Sequence, residues 1–300
     1  MRILIAGATG LIGKELVKQC LQEGWEVRFL TTRPAQAEAI PGATGFLWNI
    51  EKGEIDPEAF EGVEAIVNLA GATVSKKWSA AYKKKILSSR VSGAKIIHQS
   101  LKKVPHQVKH YLSASGISVY PNSKTQLYDE TETILSNSFL GEVVVHWEQA
   151  ADTFGDLGMG VAKLRTGIVL QTDEGALGKL TAPIAKGVGA ILGDGKQWQS
   201  WIHIRDMAGI YVHCIKHNLT GIYNGVAPNP VTHARMTRAI AQAMGKKLWL
   251  PNVPRFVLKL FLGEMSDLVF ESQLVSAKKI EQSGYRFHFV NIEQALEELL

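Results

Sequence analysis

Three glycines near the start of the chain carry the first chemical signal. Gly7, Gly10 and Gly13 stand at G-x-x-G-x-x-G spacing, straight after the apolar run Ile3-Leu-Ile-Ala6. The helical pattern Leu11, Ile12, Leu16, Val17, Cys20, Leu21 begins at once behind them. Strand, glycine turn and helix in that order form a dinucleotide-binding device. Gly7 supplies the tight turn, Gly10 lets backbone approach a pyrophosphate, and Gly13 lets the helix pack against the strand. The helix N-terminus, with Thr9, Leu11 and Ile12 around it, turns free N–H groups and a partial positive charge toward phosphates.

The second signal lies about 20 residues on, where NAD sites place an acid for the ribose 2′-hydroxyl. The second strand, Trp25–Thr31, runs into Thr31-Thr32-Arg33-Pro34, and no acid stands between Arg28 and Ala37. An arginine there pairs with a 2′-phosphate, and the missing carboxylate removes a repulsion. The expected cofactor is therefore NADP(H); the alternative for Arg33 is an exposed loop residue. His106/His110 and His213/His217 sit at i, i+4 spacing but lack the glutamate of His-Glu-x-x-His, so no metal site is expected. No Gly-x-Ser-x-Gly elbow is present, which argues against an α/β hydrolase.

The elements that must position these residues follow an alternating rhythm. Strands are expected at Phe46–Asn49, Ala65–Gly71, Gln107–Ser115 and Gly160–Leu170, with helices over 76–103 and 139–154 between them. Alternation of this kind indicates a parallel, doubly wound α/β sheet of Rossmann type. After Leu170 the rhythm breaks: 173–200 hold six glycines without periodicity, and prolines punctuate the remainder. Asp206 is placed to cap a helix Met207–His217, and further helices are expected at Thr232–Met244, Arg255–Leu262 and Ile292–Leu300. The expected division is a dinucleotide-binding domain of 1–170 plus roughly 201–225. Roughly 171–200 plus 226–300 then form a smaller, mostly helical substrate-side lobe.

Composition sets the outer limits. The 300 residues are 46% apolar, with two cysteines and no apolar run near the ~18 residues of a membrane span. With the first strand at Arg2, no signal peptide is expected and the chain reads as cytoplasmic. The net charge of +5 permits nucleic-acid binding, but a basic cofactor site explains part of it as simply, and no nucleic-acid partner is expected.

Together, Gly7-x-x-Gly10-x-x-Gly13, Asn68-Leu-Ala-Gly71, Ser113-Ala-Ser115 and Trp201-Ile-His-Ile-Arg-Asp206 resemble an extended short-chain dehydrogenase/reductase. Arg90 in Ser-Ser-Arg-Val, Trp147-Glu148, Arg165–Leu170, Gly193–Trp198 and Asn224–Val231 narrow the resemblance to the atypical "epimerase family protein" group. Residues 249–297, with Leu262-Gly-Glu264 and Gly284-Tyr-Arg-Phe287, resemble its C-terminal extension. The resemblance implies NADP(H) held by the glycine loop, the strand-two end at Thr32 and Arg33, Leu69, Ala70 and Gly71, Arg90, and the strand ending at Val169. Members commonly carry arginine one position before Arg33, where this chain has Thr32, so the 2′-phosphate contact falls to Arg33.

Typical members use a Tyr-x-x-x-Lys pair as proton shuttle and ribose anchor. Here Leu140 and Val144 stand at those positions, or Phe139 and Val143 one residue earlier. Ser115 occupies the hydroxyl position and is the candidate catalytic residue, its alternative being a strand-end serine bonded to backbone. Tyr120 is the nearest phenol, with a buried structural role as its alternative. Trp201 and His203 are candidate substrate contacts, although His203 can equally orient the following helix. The implied activity is that of an oxidoreductase or sugar-nucleotide epimerase on an unidentified small molecule. A non-catalytic NADP(H) sensor is the second reading. Homodimers are an analogy from the superfamily.

Overall fold

A computed structural model describes residues 1–172 and 175–300; Asp173 and Glu174, in the glycine-rich stretch, lie outside the described residues. Strand β1 (Arg2–Ala6) is the centre of the sheet. Ile3, Leu4, Ile5 and Ala6 are all fully buried, because both faces of a parallel strand are covered. Beside β1 lie β2 (Glu26–Thr31), β3 (Ala43–Asn49) and the two-residue edge strand β4 (Glu54–Ile55). On its other side lie β5 (Ala65–Asn68), β6 (His110–Gly116), β7 (Gly160–Thr166) and β8 (Gly221–Gly225). The order is β8-β7-β6-β5-β1-β2-β3-β4, parallel except for β4. Strand order reverses between β1 and β5, and such a reversal opens the crevice where doubly wound sheets bind ligands.

In chain order the helices are α1 (Leu11–Gln22), α2 (Ala80–Leu101), α3 (Phe139–Asp152), α4 (Gly175–Ala185), α5 (Ile204–Lys216) and α6 (His233–Ala243). They continue with α7 (Arg255–Leu262), the short α8 (Asp267–Phe270) and α9 (Lys278–Gln282), and α10 (Ile292–Leu299). Ile3 and Ile5 pack with α1 and α5, whereas Leu4 and Ala6 pack with α2 and the end of α3. A third core joins Leu170, Trp201, Met236 and Ile240 to Phe289, Leu296 and Leu299, and this is the centre of the smaller lobe.

Several sequence expectations are corrected here. The run Gly160–Leu170 is two strands that part at Gly167, where the chain passes so close to the Ser200 carbonyl and Val226 that a Cβ would lie 2.2 and 2.8 Å from them. The chain turns there, and Ile168–Gln171 pairs with Trp201–His203 outside the main sheet. Strand β8 had no predicted counterpart, and α4 occupies part of the stretch that lacked periodicity. Helix α2 starts at Ala80 rather than near 76, since Ser79 accepts the Tyr82 N–H and caps it.

Helix α5 begins two residues before the cap expected at Asp206; its N-cap is His203, whose Nδ1 accepts from the Arg205 N–H at 3.1 Å. Asp206, fully buried in the first turn, fastens the C-terminal segment instead. Its carboxylate accepts from the Tyr285 hydroxyl (2.9 Å), the His288 N–H (2.8 Å) and the Phe289 N–H (2.9 Å). Gly209 makes room for that tyrosine, since a Cβ there would lie 2.5 Å from its hydroxyl. Asp206→Ala strands three donors and should cost about 3 kcal/mol of stability, with Asp206→Asn costing less, as read from denaturant unfolding.

Candidate functional site

The glycine loop is shaped by contacts that no side chain permits. Gly7 adopts φ +88°, and a Cβ there would sit 2.9 Å from the Leu69 carbonyl carbon. At Gly13 a Cβ would stand 2.2 Å from the Gly7 carbonyl oxygen and 2.7 Å from Ala8 backbone. The Gly10 N–H donates to the Gly7 carbonyl at 3.0 Å, and Gly10, the N-cap of α1, offers no capping side chain. The first N–H groups of α1 therefore point at the crevice beyond β1, a cradle fitted to phosphate. Thr9 and Gly10 are exposed on it, with Leu11 and Ile12 half-buried behind.

The end of β5 forms the second wall. Asn68 is fully buried; its Oδ1 accepts from the Ala70 N–H at 3.1 Å and its Nδ2 donates to the Tyr111 hydroxyl at 2.9 Å. These bonds fix the course of Leu69, Ala70 and Gly71. Arg90 of α2 lies against Gly71, where a Cβ would come within 3.1 Å of the guanidinium. That guanidinium donates to the Ala72 and Ile86 carbonyls (3.1 and 2.9 Å) and lies 4.8 Å above the Trp147 ring. Burial lowers its pKa to about 10. Val169 and Leu11 flank Gly175 at the opposite rim. Thr32 and Arg33 are exposed just past β2, the Arg33 N–H held by Thr31 Oγ1 at 3.1 Å. The structure thus brings Gly7, Gly10, Gly13, Leu69, Ala70, Gly71 and Arg90 to one crevice, with Thr32 and Arg33 at the end of the neighbouring strand.

Ser115 faces inward. It is 4% exposed, and its Oγ donates to Glu148 Oε1 at 2.5 Å. Arg165 holds the same carboxylate through Nε (2.9 Å to Oε1) and Nη2 (3.0 Å to Oε2), and its Nη1 donates to the Tyr120 hydroxyl at 3.0 Å. Tyr120 in turn donates to Asn224 Oδ1 at 2.8 Å, and Asn224 Nδ2 reaches the Ser276 carbonyl at 3.1 Å. Burial pushes the Tyr120 phenol up to about 12, with Arg165 opposing. This chain of bonds gives Ser115 and Tyr120 structural work. The sequence places Glu148 and Arg165 in family motifs but does not pair them; the buried ion pair links residues 17 apart and becomes visible only once α3 is laid on β7.

The two candidate substrate contacts are also spent inside the protein. Trp201 is fully buried, with Nε1 donating to the Asn229 carbonyl at 2.9 Å. His203 is 2% exposed; besides capping α5 it bonds Glu298 at 2.9 Å through Nε2 and stacks on Phe289. Burial depresses its pKa, with Glu298 opposing. Both residues tie the sheet's end to the C-terminal lobe.

A cleft of about 260 Å³ opens where the start of α3 faces the C-terminal lobe. Trp78, Lys83, Phe139 and Leu140 form one wall, and Glu264, Asp267 and Glu271 the other. Lys83 pairs with Glu264 across it and lies 4.9 Å from the Phe139 ring centroid. Leu140 supplies no proton, and Val144, one turn on, is buried against the position a Gly116 Cβ would fill, 3.4 Å away.

A doubly wound parallel sheet with a glycine cradle at its switch point defines a Rossmann-type dinucleotide-binding protein. Comparison with known proteins makes this specific. Residues 3–225 match the NAD dependent epimerase/dehydratase family and residues 253–299 a domain of unknown function, DUF1731. The chain belongs to the NAD dependent epimerase/dehydratase family. It is 32% identical over its whole length to all of the epimerase family protein SDR39U1 of Bos taurus. It is 32% identical to SERP0438 of Staphylococcus epidermidis, covering 100% of this chain and 99% of that one. The crystal structure of human epimerase family protein SDR39U1 (isoform 2) with NADPH superposes with a TM-score of 0.87 at 30% identity, covering 100% and 99% of the two chains. A nucleoside-diphosphate sugar epimerase from Corynebacterium glutamicum gives 0.79 at 28% identity, with all of this chain matching 58% of that one.

Arg165→Ala leaves the Glu148 carboxylate buried without its cation and should cost about 3–5 kcal/mol. Chemical denaturation measures the loss, and a change within 1 kcal/mol or so would show the pair to be dispensable.

Proposed function

We propose that this chain is an NADP(H)-dependent oxidoreductase or epimerase-type protein acting on a small carbonyl or hydroxyl substrate without the Tyr-x-x-x-Lys pair. The observation that carries the reading is the glycine cradle beside a strand end that offers Arg33 and no acid. NADPH in the human relative, at 30% identity over the whole chain, supports the same cofactor here. The N–H groups at the start of α1 would hold the pyrophosphate. Arg33 would hold the 2′-phosphate, with Leu69, Ala70, Gly71, Arg90 and Val169 lining the remainder. Bound NADP(H) supplies a hydride; the chain's own residues orient it and exclude water. Among the described residues no helix is long and apolar enough to cross a membrane.

One observation favours a second reading, a protein that binds NADP(H) as a sensor. Leu140 and Val144 carry no proton, and the Ser115 hydroxyl is donated to Glu148. Calorimetric titration with NADPH and NADH, followed by a carbonyl screen read at the nicotinamide absorbance, separates the two. Selective NADPH binding with turnover supports the enzyme, and selective binding without turnover supports the sensor. Arg33→Ala should weaken NADPH about tenfold to a hundredfold, the worth of one charge-assisted hydrogen bond, and leave NADH nearly unchanged. Equal weakening of both would remove Arg33 from that role.

A further inference from the structure

We propose that Glu271 is the proton donor and acceptor of the cleft beside Leu140, serving a reaction on an uncharged carbonyl compound. The proposal rests on the oxidoreductase reading above. Its geometric basis is the cleft itself, which holds a protonatable carboxyl against the helix start where a tyrosine hydroxyl is missing. Glu271 follows α8 and is half-buried. Its Oε2 accepts from Gln273 Nε2 at 3.1 Å, and its carboxyl also bonds Ser138, the N-cap of α3 two residues before Leu140. The carboxyl is thus aimed at the start of α3 from the opposite wall.

The charges around it favour a proton. Burial, joined by the charge of Asp267, raises the Glu271 pKa, while the bonds from Gln273 and Ser138 pull it back. The other charged groups lining the cleft are Lys83 from α2, Glu264 from the turn after α7, and Asp267 from α8. Lys83 is engaged by Glu264, so its charge is not free to hold Glu271 ionised. Three carboxyl groups against one ammonium make this cleft a poor seat for a nucleoside diphosphate. Trp78 and Phe139, edge to face at 5.2 Å, give it an apolar side suited to a neutral molecule.

In the reducing direction, hydride passes from the reduced nicotinamide to the carbonyl carbon and the C=O π electrons move to oxygen. Glu271 gives its proton to that oxygen. An alcohol and the oxidised nicotinamide result, and Glu271 regains its proton from solvent through the open cleft. The donor must be protonated, so the rate of reduction falls as pH rises through the Glu271 pKa.

The test uses the full-length protein, the Glu271→Gln and Glu271→Asp variants, and a panel of uncharged aldehydes and ketones. Glu271→Gln should keep its NADPH affinity by calorimetry, lose reduction by about a hundredfold or more, and lose the fall in rate at high pH. Glu271→Asp should recover part of the rate. Independently of turnover, NMR of protein carrying 13C-labelled glutamate should show a carboxyl titrating above the usual carboxylate range and missing from Glu271→Gln. Titration of Glu271 within the usual range overturns the proposal. Wild-type rates in Glu271→Gln also overturn it while leaving the oxidoreductase reading standing. Wild-type protein that binds NADPH yet reduces none of the panel sinks both together.

Discussion

Everything at the crevice depends on how closely helix α1 can approach strand β1. With a Gly13 Cβ position 2.2 Å from the Gly7 carbonyl oxygen, any side chain at 13 would push the helix off the strand. Its first N–H groups would then leave the crevice, and the end of β5 would lose its neighbour, because Gly7 is itself pressed on Leu69, its Cβ position 2.9 Å from the carbonyl carbon. Close backbone packing is available only where Cβ atoms are absent, so two glycines set the position of a whole helix. The phosphate cradle is a by-product of that packing.

Away from the crevice, buried polar bonds hold the two lobes in register. The Ser115–Glu148–Arg165–Tyr120–Asn224 chain runs from the β6 end through α3 and β7 to the C-terminal segment at Ser276. Asp206 does the same at the other end of the extension, through Tyr285, His288 and Phe289. Every member of these sets has a partner, the condition under which a buried carboxylate is tolerable. The C-terminal domain is thereby fastened to the sheet, and the cleft at Leu140 keeps both of its walls.

The same economy places residues of types common in active sites inside bonded networks. Ser115, Tyr120 and His203 are polar types common in active sites, yet each is almost wholly buried with its polar atoms engaged. A buried hydroxyl or imidazole stabilises the fold by being satisfied, and a satisfied donor is a poor polariser of a substrate carbonyl. Glu271, on the cleft wall supplied by the C-terminal domain, is by contrast only partly covered.

What the sequence determined was local. The spacing of Gly7, Gly10 and Gly13 after a fully apolar run, and the absence of an acid near Arg33, follow from rules that act over a few residues, such as turn geometry and charge at a strand end. The alternation of strands and helices up to residue 166 was legible for the same reason. The tertiary structure decided the rest. At Gly167 the chain turns to the Ser200 carbonyl, 33 residues away, which accepts the Ile168 N–H, and β8 is a strand because β7 offers it an edge. Asp206 looked like a helix cap because capping is local, whereas its partners lie about 80 residues downstream. Glu148 meets Arg165, and Glu271 faces Leu140, only after chain segments distant in sequence have packed. Side-chain environment is a property of the fold, and no short-range pattern encodes it.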